Sequence, residues 1–383
     1  LKIEFIDSLS RIEADTWNAI TGTDYPFTRH EFLAALERSG AVGEASGWIT
    51  SHVLAWRESE LIAVMPLYKK LHSYGEYVFD WSWANAYRRY GYAYYPKLLC
   101  AIPFTPATGP RLCVKSGADS EENRAEIAAA VINTLQQKIC GAASSLHILF
   151  PGAAEGAEFN ALGLSERTGV QYHWHNAGFA DFDSFLATFN SRKRKSLRRE
   201  RERVVEQGIA LRTLEGAAIT AADWERFHHF YQLTYAKRSG HGGYLNAEFF
   251  QLIGATLPEH TVLTLAERDG ATIAGALYFR DSQTLYGRYW GCAQEFDALH
   301  FEACYYQGIE YCIRHRLQRF DPGAQGEHKI QRGFAPVRTR SYHWIENPQF
   351  RTAIDNFLVE ERAEIERYII EASAALPFRQ SGA

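Results

Sequence analysis

Two tandem copies of one α/β unit, each a mixed sheet with flanking helices, are what this sequence predicts, and three observations carry the prediction. Val53–Tyr68 (VLAWRESELIAVMPLY) and Val262–Tyr278 (VLTLAERDGATIAGALY) share a Val-Leu start, a charged turn, an Ile-Ala centre and an apolar residue before Tyr. That is one strand-turn-strand written twice. Further landmarks recur in the same order: Trp17 and Trp224, Glu31-Phe32-Leu33 and Glu248-Phe249-Phe250, Tyr74-Gly75 and Tyr286-Gly287, Tyr172-His173-Trp174 and Tyr342-His343-Trp344. Finally, His300–Leu317 carries apolar residues at helical spacing between two strand-like stretches. A helix between two strands of one sheet brings those strands together in parallel.

Each copy reads in order as a strand, two helices, a hairpin, a third sheet strand, a long helix, a strand and a closing strand. The second hairpin turns at Asp269-Gly270, a dipeptide suited to the left-handed backbone of a tight turn. Gln318–Asp321 is the strand after the second long helix, and Pro322-Gly323 ends it. The spacing between copies falls from 212 residues at Tyr74/Tyr286 to 170 at Tyr172/Tyr342, so the first copy holds about 42 extra residues. The insertion is placed at about 76–112, a stretch rich in aromatics, Pro and Gly. The domains are read as 1–180 and 181–383, the second opening with a basic helix.

Composition excludes several classes. With 46% hydrophobic and 22% charged residues in 383, the chain is not a disordered polymer. A net charge of −4 argues against a general DNA-binding protein. Six cysteines without CxxC spacing suggest neither a zinc knuckle nor a redox pair. No apolar run reaches the roughly 18 residues of a membrane-spanning helix, and the first residues lack the apolar core of a signal peptide; a cytoplasmic location is expected. His173 and His175 share a strand face with no third ligand at metal spacing, so no metal is expected. There is no Gly-x-Ser-x-Gly nucleophile turn and no Gly-x4-Gly-Lys-Ser/Thr phosphate loop.

Two segments are more specific. Arg319–Phe334 (RFDPGAQGEHKIQRGF) resembles the part of Fem-type peptidoglycan aminoacyltransferases where an aromatic-Asp-x-Gly strand end leads to a Lys and a Gly-Phe pair. Ser191–Gly208 (SRKRKSLRRERERVVEQG) resembles the basic helix that follows their first domain, and Tyr286–Gly291 (YGRYWG) looks like the strand before their crossover helix. Over nearly its whole length the chain is similar to FemAB-like bacterial proteins of the GNAT acyltransferase superfamily. The resemblance implies tandem GNAT-like domains and transfer of an acyl or aminoacyl group to an amine, linked to peptidoglycan.

Acetyl-CoA-using members of that superfamily carry a glycine-rich loop whose backbone N–H groups hold pyrophosphate at a helix N-terminus. The matching stretch here, Cys292–Ala303 (CAQEFDALHFEA), has no glycine. Lys237-Arg238-Ser239-Gly240-His241-Gly242 is the nearest match, but it lies between the two early helices, away from that place. Fem-type enzymes lack that loop too and take aminoacyl-tRNA, so the resemblance implies a donor of that kind, with an acyl-CoA-dependent N-acyltransferase as a rival and no tightly bound cofactor. The partners expected are a small-molecule or peptide amine and tRNA. A non-catalytic protein that keeps the fold and binds a cell-wall precursor is the alternative.

For the chemistry, Lys329 is read as the cation beside the reacting carbonyl or a donor phosphate, with Glu327 or His328 accepting the amine proton. The run Arg192–Arg203 carries +6 in a chain that is −10 elsewhere. Arg192, Lys193, Arg194 and Lys195, with Tyr286, Arg288 and Arg332, are read as binding substrate or phosphate. Asp80, Trp81 and Arg88, within the aromatic insertion, are read as an acceptor cleft.

Overall fold

The computed structural model describes residues 1–117, 121–240, 242–324 and 326–379. Its first compact unit is formed by 1–169 with 338–367, and its second by 170–337 with 368–383. The segment 338–367, assigned by sequence to the second domain, therefore belongs with the first unit, and 170–180 belongs with the second.

The first unit begins with β1 (Lys2–Ile6), α1 (Ala14–Thr21) and α2 (His30–Arg38). A short β2 (Trp48–Thr50) leads into the hairpin β3 (His52–Arg57) and β4 (Glu60–Met65), then β5 (Tyr68–Lys70), α3 (Trp81–Arg89), β6 (Lys97–Cys100) and β7 (Cys113–Val114). The long α4 (Glu121–Ile139), β8 (Ser145–Leu149), α5 (Ala153–Ala161) and the start of β9 (Ser165–His175) follow. β1, β3, β4 and β7 form one sheet, while β8, β6, β5 and β2 are neighbours in another. The pair β6/β8 is parallel, with α4 as its crossover helix. Residues 341–345 pair antiparallel with β8, Ser341 opposite Leu149 and Ile345 opposite Ser145. Alternation along β3 and β4 turns Val53, Ala55, Ala63 and Met65 onto Ile127, Val131 and Leu135 of α4, giving one apolar core.

The second unit holds α6 (Phe182–Ala187), α7 (Ser191–Glu206), β10 (Ile209–Glu215), α8 (Ala221–Ser239) and α9 (Ala247–Thr256). The hairpin β11 (Thr261–Arg268) and β12 (Ala271–Arg280) follows, turning on Asp269 and Gly270 at φ 51° and 76°, as the Asp-Gly pair predicts. Next come β13 (Thr284–Cys292), a one-turn α10 (Leu299–Phe301), a π turn Glu302–Tyr306, α11 (Gln307–His315), β14 (Arg319–Asp321) and β15 (Ala335–Ile345); α12 (Pro348–Ala374) closes the chain. The sheet order is β10, β11, β12, β13, β14 and β9. The crossover helix lies where its periodicity predicts, with the π turn inserted near its start. Its buried face, including Tyr306, Ile309 and Cys312, packs with Phe320, Phe334 and Trp174.

Two features depart from the expected plan. The third strand of the first copy is broken: β6 makes the parallel pair with β8 while β7 pairs with the hairpin, and residues 101–112 run between them. In the second copy the single strand β13 does both jobs. The closing strands are also exchanged. His175 and Trp174 of β9 pair with Arg319 and Phe320 of the second copy, whereas residues 341–345 of β15 pair with β8 of the first.

Candidate active site

In the second unit β13 and β14 pair in parallel only from Thr284/Arg319 to Tyr286/Asp321. Pro322, with no N–H to donate, ends β14, and beyond Tyr286 that edge of β13 has no partner strand. A bulge at Arg288 sits at the same point, because Tyr278 opposes Gly287 and Leu277 opposes Tyr289. The parting strands leave a cavity of about 360 Å³. Gly287–Trp290 of β13 and Pro322 form one part of its wall, Thr234, Tyr235, Arg238 and Ser239 of α8 another, and His300, Cys304 and Tyr305 a third. Gly291 lets α8 lie this close, since a Cβ there would meet the backbone of Phe230 at 2.2–2.3 Å.

The cavity wall is cationic. Arg288 reaches it with its side chain only 2% exposed and pairs with Asp321 at 2.6 Å. Burial alone would raise the Asp321 carboxyl, but the Arg288 guanidinium, His173 and the Gly323 N–H overcome this and hold it at about 2. The sign of the pH effect follows. A carboxylate depressed in the fold stabilises fully above its unfolded value, near 4, and that stability is lost as pH falls toward 2. Asp321→Asn should remove a part of the acid-unfolding transition between roughly pH 4 and 2; a wild-type-like acid titration of the variant's stability would count against it. Arg238, the other cation on the wall, is exposed and makes no ion pair or side-chain hydrogen bond among the described residues. Among the described residues no Asp or Glu lines the cavity.

A neighbouring cavity of about 380 Å³ occupies the place where a glycine-rich phosphate loop would lie, lined by Cys292–Phe301 together with Leu233, Thr234, Lys237, Arg238 and Trp290. Its charges are largely paired within the protein, Lys237 with Glu295 at 2.6 Å and Asp297 with Arg203 at 2.9 Å. In the first copy the strands also separate after Cys100, but the gap beside β8 is bridged by hydrogen bonds. Gly109 N–H donates to the Phe150 carbonyl, the Arg111 guanidinium donates to the carbonyls of Leu149 and Ala107, and Glu155 accepts from the backbone of Arg111 and Leu112.

The structure scatters the residues singled out by sequence. Lys329 is 1% exposed and donates to the Gly323 carbonyl at 2.7 Å; burial pulls its ammonium down to about 8, and it is not among the cavity-lining residues. Glu327 is exposed and accepts from Tyr368 at 2.7 Å, while exposed His328 is hydrogen-bonded to Tyr305 at 2.9 Å. Arg332 pairs with Glu200 at 2.9 Å and lies over the ring of Phe301, and Tyr286 donates to Asp281. Arg192, Lys193, Arg194 and Lys195 occupy the first turns of α7, half-buried to exposed. Arg192–Lys195 make no side-chain pair among the described residues. Asp80 is buried against Lys97, whereas Trp81 is partly exposed beside Tyr74 and Arg88 caps Asn85, so these three do not converge. Of the whole set, Arg288 alone lines the cavity.

Sequence reading missed Thr234, Tyr235, His300, Cys304 and Tyr305, and set Arg238 and Ser239 aside as misplaced. The C-terminal turn of α8 brings those last two to the wall, and His241 lies outside the described residues. Three landmarks could have flagged the place: the repeat's Tyr286-Gly287 step, the loss of a partner at Pro322, and the small residue Gly291.

Parallel strands that part over a cavity, a crossover helix beside it and a duplicated unit define a GNAT-type acyltransferase fold. The chain belongs to the FemAB-like family of peptidoglycan biosynthesis/recognition, whose profile matches residues 8–380. Solved structures share the architecture at low identity. FemX is 13% identical with a TM-score of 0.53, over 93% of this chain and 100% of that one. The C-terminal domain of a putative lysylphosphatidylglycerol synthetase from Agrobacterium fabrum is 10% identical at TM-score 0.52, over 93% and 97%. L-PGS from Bacillus licheniformis is 11% identical at TM-score 0.50, over 91% and 97%. No curated protein matches by sequence. Among the described residues no helix is long and apolar enough to cross a membrane, and no group of three or more His, Cys, Asp or Glu could hold a metal ion.

Proposed function

We propose that the second copy transfers an acyl or aminoacyl group to an amine of a peptidoglycan precursor, and that the first copy, where Arg111 and Glu155 fill the gap beside β8, contributes no second centre of that kind. The observation that supports this most is the cationic cavity where β13 leaves β14, with Arg288 and Arg238 on the wall and no carboxylate. When the amine attacks the carbonyl, negative charge builds on the carbonyl oxygen. Cations held in a partly dry site stabilise that charge. Lys329 takes a positioning part in this reading, because its ammonium fixes the Gly323 carbonyl in the turn that also gives Asp321 an N–H. The basic start of α7 remains a candidate surface for the phosphates of a tRNA donor. The neighbouring cavity, lined by no glycine, supports such a donor over acyl-CoA.

The experiment is a transfer assay with labelled aminoacyl-tRNA or acyl-CoA and an amine-bearing cell-wall precursor peptide. Formation of an amide product with either donor supports the reading. Saturable binding of the precursor without product from either donor would replace it with the binding-protein alternative. Arg238→Ala should leave the thermal midpoint unchanged, since the side chain is exposed and unpaired. The same variant should weaken donor use by about 10- to 100-fold, the worth of a charge-assisted contact. Wild-type kinetics in Arg238→Ala would remove it from the site.

A further inference from the structure

A transfer to an amine must dispose of a proton, and the cavity wall holds few groups able to take it. No carboxylate lines it. Tyr278 is committed, its hydroxyl donating to the Ala303 carbonyl, and Arg288 is held by Asp321. His300 is enclosed by the rings of Trp290, Phe301 and Tyr305, and burial together with nearby cations pushes its imidazole down to about 3, a weak acceptor with no onward hydrogen bond among the described residues.

Tyr305 is different. It lies in the π turn, where the extra residue shifts the helix's register, and its ring packs beside Phe301 and against the edge of Phe334. Its hydroxyl is 2.9 Å from Nε2 of His328, which is exposed. The His328 ring folds over Gly326: a Cβ at that glycine, whose φ is 116°, would meet the ring at 2.4 Å. Cavity, phenol, imidazole and solvent thus follow one another.

We propose that Tyr305 and His328 are the exit route for the proton lost by the acceptor amine, Tyr305 being the catalytic residue at the cavity wall and His328 a positioning residue and proton carrier behind it. The inference rests on the transfer reading above. As the amine nitrogen bonds to the acyl carbon, its N–H proton passes to the Tyr305 oxygen while the phenol's own proton passes to His328 Nε2. The C–O or C–S bond to the donor's leaving group breaks, that oxygen or sulfur takes a proton from solvent, and the imidazolium returns one to solvent. One activated ester or thioester and one amine give one amide and one alcohol or thiol. His328 must start neutral. The charged groups facing it are Lys329 and Arg332, with His300 across from it, and burial and these two cations lower its imidazole below the ordinary value.

The test is kcat and KM for wild type, Tyr305→Phe and His328→Gln across pH 5–9, using the donor and acceptor that give product in the transfer assay. Tyr305→Phe should lower kcat by about 100- to 10,000-fold with KM little changed, the usual range for a lost proton-transfer group. The wild-type rate should rise with pH through an inflection below the ordinary imidazole value, and His328→Gln should lack that inflection. Phenylalanine keeps the ring and position 328 is exposed, so thermal midpoints should match wild type. Wild-type turnover in Tyr305→Phe, or an inflection that survives in His328→Gln, overturns the relay and leaves the transfer reading standing. Absence of product from the wild-type protein with every donor overturns both.

Discussion

Replacing Lys97 by methionine should cost the first unit about 3–5 kcal/mol, the usual penalty for removing one partner of a buried ion pair. Lys97 is fully buried and its ammonium lies 2.7 Å from Glu76, 2.5 Å from Asp80 and 2.9 Å from the Ser73 hydroxyl. Tyr94 adds a hydrogen bond to Asp80 at 2.6 Å. Burial raises Glu76 to about 7, whereas Asp80, despite its burial, is held at about 2 by Lys97. Without the lysine, two carboxyl groups remain with Lys70 as the nearest cation, 3.8 Å from Glu76. Denaturant unfolding would measure the loss. Lys97→Met combined with Glu76→Gln and Asp80→Asn should recover much of it, because the uncompensated charge is then gone. A loss below about 1 kcal/mol in the single variant would show that the cluster is hydrated rather than dry.

Gly291→Ala should be nearly as damaging and should also close the site. A methyl group at 291 would lie 2.2–2.4 Å from the carbonyl carbon and oxygen of Phe230 and the nitrogen of Tyr231. These are backbone atoms of α8, so no rotamer change relieves the clash, and the helix must move away from β13. Overpacking of this kind costs about 1–3 kcal/mol and more where the backbone must yield. The same helix carries Thr234, Tyr235 and Arg238 to the cavity, so ligand binding should fall along with the thermal midpoint. By contrast, Gly270→Ala in the hairpin turn meets no neighbour within 4 Å and strains only its own backbone. It should destabilise without touching the cavity, and equal losses of binding in the two variants would refute the assignment of α8 to the wall.

The hairpins were legible because period-two alternation and the Asp-Gly turn are local signals, and the crossover helix because its apolar stripe is local too. The π turn was hidden: Glu302–Tyr306 keeps a helical composition, and the extra residue shows only in hydrogen bonding. The site was read unevenly for a related reason. Sequence favoured runs, such as Arg192–Lys195 and Glu327–Lys329, whereas the cavity draws single residues from α8, β13 and the crossover. A lysine's charge also says nothing of its burial, and Lys329 spends its ammonium on a carbonyl inside the fold. The exchange of closing strands was beyond reach of local reading because both carry Tyr-His-Trp, and nothing local in either sequence tells which edge it covers.

That exchange says something about ancestry. A chain containing one copy carries one closing strand, and with the pairing seen here it would lend that strand to a second molecule and take the other's in return. In that arrangement such a chain would be a strand-exchanged dimer whose stability depends on concentration. Joining two copies end to end makes that meeting intramolecular, at an effective concentration set by the joining segment and no longer by expression level. In a fused pair the halves need not be identical, so one can fill the gap beside its closing strand while the other keeps a cavity.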